Sequence, residues 1–256
     1  MGKLEGKTAL ITGASGGVGK QIAIRYAKEG ANLAICARTK SKLLETAALC
    51  EANGAKVLAV PTDIKDSSAL EQLVEKTIET FGTIDILVND AISICEPHPF
   101  LEHTIEELDN TMFSGLYGTW HLMKLCFPYL KEHGGSIINF GSGAGREGLA
   151  GYAAYASTKE AICGLSRVVA REWGAYNIRV NVLSPSAMTE TVKGSLPLLS
   201  EEMRNYVIDS LSQNALRRPG DAYEDVAPVA VFLASDDSRW ITGQNICAEG
   251  GGDIHC

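Results

Sequence analysis

The sequence predicts an α/β fold: a doubly wound sheet of about seven parallel strands with helices on both faces. Three observations predict it. Short apolar runs alternate with longer segments of helical period along the chain. The runs are apolar at nearly every position, as strands covered on both faces are. A glycine cluster follows directly on the first of them.

In chain order, strands are predicted over residues 8–12, 32–37, 56–61, 84–89, 135–140, 178–183 and 245–248, each bounded by turn residues or a helical pattern. The first helix is predicted over 17–29, with Gly30 supplying the left-handed residue that ends it. Residues 184–219 are neither clear strand nor core helix. They hold Pro185, Pro197 and an amphipathic piece over 201–211, the composition of a substrate lid. With 256 residues and 45% hydrophobic content the chain suits one domain spanning 1–256.

The bulk numbers exclude several functions. A net charge of -8 with dispersed Lys and Arg leaves no electrostatic footprint for nucleic acid or anionic lipid. No apolar run approaches the ~18 residues of a membrane span. The opening MGKLEGKTALITG enters a strand within a few residues, without an apolar leader. The seven cysteines, Cys36, Cys50, Cys95, Cys126, Cys163, Cys247 and Cys256, form no CxxC pair. A cytoplasmic protein is expected, with a small molecule as its partner.

The turn TGASGGVG places Gly13, Ser15, Gly17, Val18 and Gly19 between strand and helix, where backbone amides can approach a pyrophosphate. A ribose-binding carboxylate is expected about 20 residues on, at the end of the second strand. Ala37 stands there instead, followed by Arg38, whose guanidinium suits a 2′-phosphate. The cofactor expected is therefore NADP rather than NAD, with Lys42 assisting. Asp63 and Ile64, after the third strand, are candidates for the adenine edge.

Tyr155 and Lys159 lie four apart in YASTK, on one face of a predicted helix. An ammonium and a cationic nicotinamide beside a phenol favour its phenolate, which could then exchange the proton of a substrate hydroxyl. Ser142, thirteen residues earlier at a strand end, can hold the substrate oxygen.

Together TGASGGVG, Asn89, Ser142, YASTK and the terminal ITGQNICAEGGG resemble the short-chain dehydrogenase/reductase family over essentially the whole chain. The resemblance implies a seven-stranded Rossmann-type sheet and commonly a homotetramer built through the two long central helices. It implies that Ser142 polarises the carbonyl and Tyr155 is general acid/base. Lys159 would bind the nicotinamide ribose and lower the tyrosine pKa, while Asn89, Met188 and Thr189 would contact the cofactor.

Four positions depart from the family pattern. Gly115 stands where the family has a catalytic asparagine that bends the helix and anchors a proton-relaying water, so Ser114 or water alone would serve. The usual Asn-Asn-Ala-Gly reads NDAI, with Asp90 and Ile92, and the usual Pro-Gly reads Pro185-Ser186. Gly115→Asn is expected to leave folding intact; gross destabilisation would show that the site had been repacked rather than merely vacated. These departures also motivate a second reading, a catalytically weak dinucleotide-binding regulatory protein on the same fold.

SGLYGTW, CFPYLKE and INFGSGAG resemble bacterial hydroxysteroid dehydrogenases of the bile-acid 12-alpha group. Met188, Leu196, Leu198, Leu199 and Met203 would give the lid an apolar face for such a ligand. None of His98, His103 and His121 is assigned to a metal, because their spacing lacks a Cys or carboxylate ligand set on one face.

Overall fold

The computed structural model describes residues 2–252 and residue 254; Cys256 lies outside the described residues. Seven strands form one sheet: β1 (Thr8–Thr12), β2 (Asn32–Ala37), β3 (Val57–Pro61), β4 (Ile86–Asn89), β5 (Gly135–Phe140), β6 (Ile178–Pro185) and β7 (Asn245–Ala248). Their order is β3-β2-β1-β4-β5-β6-β7, and every neighbouring pair is parallel.

Alternation along each strand divides the core in two. Ala9, Ile11, Leu33, Ile35, Ile86, Val88, Ile138 and Phe140 face one way. They pack under α1 (Gly17–Lys28), α2 (Lys40–Glu51) and α10 (Ala227–Ala234). Leu10, Ala34, Cys36, Leu87 and Ile137 face the other way. They meet α3 (Ser67–Phe81), α5 (Gly118–His133) and α7 (Ala153–Trp173). Two buried faces explain why the strands read as continuous apolar runs rather than alternating ones. Tyr26 is wholly buried in the first cluster, and its hydroxyl donates to the Ala230 carbonyl at 2.9 Å, closing α1 on α10.

Differences from the sequence expectation sit at element ends. The fourth strand begins at Ile86 because Asp85 turns its carboxylate onto the Thr8 amide at 2.8 Å, replacing a ladder bond with a side chain. The first helix ends at Lys28, and Gly30 takes the left-handed conformation at φ 87°. Residues 184–219 are largely helical: β6 runs on to Pro185, then come α8 (Glu190–Ser195), a 3-10 turn and α9 (Glu201–Ser212). Among the described residues no helix is long and apolar enough to cross a membrane.

Candidate active site

The sheet order reverses between β1 and β4, so the chain leaves these neighbours toward opposite faces and opens a crevice at their carboxyl ends. The cleft there, about 530 Å³, is lined by Gly13, Ser15, Gly17, Arg38, Ile64 and Thr189 among the expected residues, and by Asp90 and Ile92. Gly13 (φ 73°) and Gly17 (φ 58°) occupy left-handed conformations. A Cβ on Gly13 would lie 3.1 Å from the Ala91 amide, whereas one on Gly16 or Gly17 would meet nothing within 4 Å. The loop is thus cut close to the protein on one side and open on the other, at the N-terminus of α1. These residues fit a dinucleotide pyrophosphate. Arg38 is exposed at the rim, just past the end of β2. Among the described residues no carboxylate pairs with it.

Asp90 ties this loop together. Its Oδ2 accepts from the Gly19 amide at 2.9 Å, while the Asp90 and Ala91 amides donate to Thr12 Oγ1 at 3.1 and 3.0 Å. Burial pushes its carboxyl up to about 6, against the pull of the Lys159 charge and the Gly19 hydrogen bond.

On the other side of β4, the end of β5 and the face of α7 bring Ser142, Tyr155 and Lys159 together. Ser142 leaves β5 extended and caps the short α6 (Gly143–Glu147), its Oγ accepting from the Ala144 amide at 3.2 Å. Burial raises the Tyr155 phenol; a hydrogen bond with Ser142 pulls it back, and the Asp90 charge raises it further. Lys159 is only 4% exposed, donates from Nζ to the Phe140 carbonyl at 3.0 Å, and lies 5.5 Å from the Tyr155 ring centroid. Desolvation lowers its ammonium to about 8, with the Asp90 charge opposing. Burial is the largest of these influences on the phenol, and an oxidised nicotinamide held beside it would add a positive charge acting the other way.

Gly115 corrects the idea of a vacated position. Its segment, Phe113–Tyr117, is a π-turn between α4 (Ile105–Met112) and α5, so the helix is bent without the asparagine. A Cβ at Gly115 would fall 2.6 Å from Thr158 Cγ2 and 2.9 Å from Ile92 Cδ1. Thr158 is held in place by its own bond to the Ala154 carbonyl at 2.9 Å. Ile92 and Thr158 have taken the room that a side chain at 115 would need. Two departures noted separately, Gly115 and Ile92, are therefore one exchange of volume. Ser114 cannot stand in for the asparagine either: its hydroxyl donates to the Asn110 carbonyl at 2.8 Å and accepts from the Ser93 amide at 2.9 Å.

Other expected residues fall outside the cleft lining. Asn89 is 4% exposed, and its Nδ2 donates to Asn139 Oδ1 at 2.8 Å; Asn139 in turn donates to Ser166, so this network binds β4, β5 and α7. Val18 packs on the core, and Asp63 spends Oδ1 on the Lys65 amide at 3.0 Å. Met188 stands behind Thr189, its amide bonded to the Gly220 carbonyl at 2.7 Å. Thr189 caps α8, whose Glu190 pairs with Lys20 of α1 at 3.0 Å and so fastens the lid to the glycine-loop helix. The sequence reading also missed that His98 and His103 have companions: Cys95 and Glu107 join them, with all four ligand atoms within 4.8 Å of one another. A carboxylate four residues on from His103, at the start of a helix, was the available signal.

The chain has clear relatives. The family profile described as Enoyl-(Acyl carrier protein) reductase matches residues 13–253. A 12alpha-hydroxysteroid dehydrogenase from a Clostridium species is 42% identical, over 98% of both chains. A 3-oxoacyl-(acyl-carrier-protein) reductase from Thermotoga maritima is 32% identical, over 97% of this chain and 98% of its own. Among solved structures, carveol dehydrogenase from Mycobacterium avium in complex with NAD superposes with a TM-score of 0.89 at 27% identity, covering 98% of this chain and 99% of that one.

Proposed function

The chain belongs to the short-chain dehydrogenase/reductase family, oxidoreductases that use a nicotinamide cofactor on an alcohol or ketone, and from that membership we propose an NADP(H)-dependent hydroxysteroid dehydrogenase of bile-acid type. The observation that carries the chemistry is Lys159, buried between the Phe140 carbonyl and the Tyr155 ring, with Ser142 close enough to the phenol to pull its pKa down.

In this reading the bound cofactor supplies or accepts the hydride, and the protein supplies proton transfer and geometry. Ser142 holds the substrate oxygen. Tyr155 exchanges the proton on that oxygen, as acid in reduction and as base in oxidation. Lys159 orients toward the nicotinamide ribose and biases Tyr155 electrostatically. Arg38 faces the 2′-phosphate, supported by its place on the cleft and by Ala37 before it. Gly13, Ser15, Gly17 and Gly19 surround the pyrophosphate, Ile64 and Asp63 the adenine, and Thr189 with Met188 the carboxamide end.

A bulky apolar substrate is supported by the lid, where Leu198 is 85% and Met203 48% exposed. The relative at 42% identity is named for a steroid substrate, whereas the one at 32% is named for an acyl-carrier substrate. Cys36, Cys50, Cys95, Cys126, Cys163 and Cys247 are in no disulfide, which suits a reducing, cytoplasmic setting. Nicotinamide absorbance followed with NADP and NAD over a panel of hydroxysteroids, small secondary alcohols and 3-oxoacyl thioesters tests the assignment. Turnover of 12-hydroxy bile acids with NADP is expected; turnover confined to small alcohols or acyl thioesters would overturn the substrate class.

A further inference from the structure

We propose that Cys95, His98, His103 and Glu107 form a zinc site that fixes the loop after β4 on the first turns of α4 and so holds His103 against Gly151, just before α7. The four ligand atoms are a thiol sulfur, two imidazole nitrogens and a carboxylate oxygen, the donor types zinc takes. Tetrahedral ligands about 2.0–2.3 Å from a zinc stand about 3.3–3.8 Å apart. Here Cys95 Sγ lies 4.0 Å from His103 Nδ1, His103 Nδ1 lies 3.6 Å from Glu107 Oε2, and His98 Nε2 lies 3.0 Å from Glu107 Oε1.

The far side of each ring argues the same way. His103 Nε2 is 3.1 Å from the Gly151 carbonyl, which can only accept, so the proton of a neutral imidazole sits there and Nδ1 presents a lone pair to the cluster. His98 repeats the pattern, with Nδ1 3.4 Å from the Pro99 carbonyl and Nε2 turned toward Glu107. A backbone carbonyl behind each imidazole is the outer arrangement that orients metal-binding histidines. Lone pairs thus converge on one point from three sides, with the Cys95 thiol on the fourth, the arrangement a cation fills. Zinc would displace the Cys95 thiol proton and any proton shared by His98 and Glu107, released to solvent, with no change in oxidation state.

The site would act as a staple. Gly151 lies just before α7, which carries Tyr155 and Lys159; a Cβ there would sit 3.3 Å from Pro97 and 3.4 Å from the His98 amide. His103 is nearly covered, its side chain 6% exposed, while His98 (22%) and Glu107 (31%) leave a route in.

The test uses the full, untagged chain, reduced and dialysed against stoichiometric zinc, then against buffer. Mass spectrometry is expected to find about one zinc per chain. Cobalt is expected to give a thiolate charge-transfer band and the intense visible bands of a tetrahedral site. Cys95→Ser is expected to abolish the charge-transfer band, and His103→Gln to weaken zinc by more than about 100-fold, beyond the loss of an outer partner. Wild-type protein that retains no zinc and gives no cobalt–thiolate band would overturn the proposal and leave a His98–Glu107 ion pair. The wild-type readouts are independent of whether a variant folds and of any turnover.

Discussion

At the scale of the residue, Asp90 and Arg38 are the charged side chains on the cleft lining. Asp90 replaces a neutral family residue with an acid whose carboxyl is pushed up to about 6. Its folded pKa lies above its unfolded value, so its contribution to stability is whole below about pH 4 and is lost as pH rises through about 6. Asp90→Asn keeps an acceptor for the Gly19 amide and removes the charge. It is expected to be more stable than the native chain by about 3 kcal/mol at pH 7.5 and by well under 1 kcal/mol at pH 4; denaturant melts at both pH values check this. Because an anion beside the start of α1 opposes a phosphate, the same variant is expected to bind NADP severalfold more tightly at pH 7.5, read by fluorescence titration. Arg38→Asp is expected to weaken NADP by roughly 100-fold or more while sparing NAD, since a lost bidentate contact and an added repulsion act only on the 2′-phosphate. Equal losses for both cofactors would sink the assignment. Ser142, Tyr155, Lys159 and Arg38 could be named as candidates from type, spacing and the family resemblance, and the structure places Arg38 on the cleft and Lys159 beside the Tyr155 ring. The use of Asp90 was not, because its partner, Gly19, is 71 residues away and meets it only across two adjacent strands.

At the scale of the element, the bend between α4 and α5 shows what spacing conceals. A missing asparagine reads as a hole, but the space is occupied by Ile92, from the loop after β4, and Thr158, from α7. Gly115→Asn is accordingly expected to cost about 1–3 kcal/mol by overpacking. Ile92→Gly in the same chain is expected to restore a substantial part of that loss, measured as a double-mutant cycle by thermal or urea unfolding. Additive effects would contradict the shared-volume explanation. Residues 184–219 were legible as an excursion with an amphipathic piece at 201–211, which is α9, but not as a segment with α8 fixed by the Glu190–Lys20 pair, since α8 is six residues long. Strand ends were misplaced by a residue or two, at β4 because the Asp85 side chain replaced a ladder bond.

At the scale of the whole molecule, the doubly covered sheet was the most legible feature, because burial on both faces writes itself as uninterrupted apolar strands. The assembly is less legible. The outer faces of α5 and α7 carry Trp120 (52% exposed) and Val168 (53% exposed), flanking a groove lined by Leu116, Met123 and Leu165. The homotetramer through these helices is expected to appear by light scattering as four chains and to dissociate on Val168→Glu. A native chain that runs as a monomer at micromolar concentration would contradict it. Such a surface reads in sequence as ordinary helix periodicity, and only its exposure sets it apart.

The most direct measurement is kcat with NADP and a 12-hydroxy bile acid for the native chain and for Tyr155→Phe, with cofactor binding measured on both. If Tyr155 is the acid/base group, kcat falls by about 10²–10⁴-fold while NADP binding changes little. A Tyr155→Phe enzyme within tenfold of native turnover, cofactor still bound, would show that the proton moves through another group.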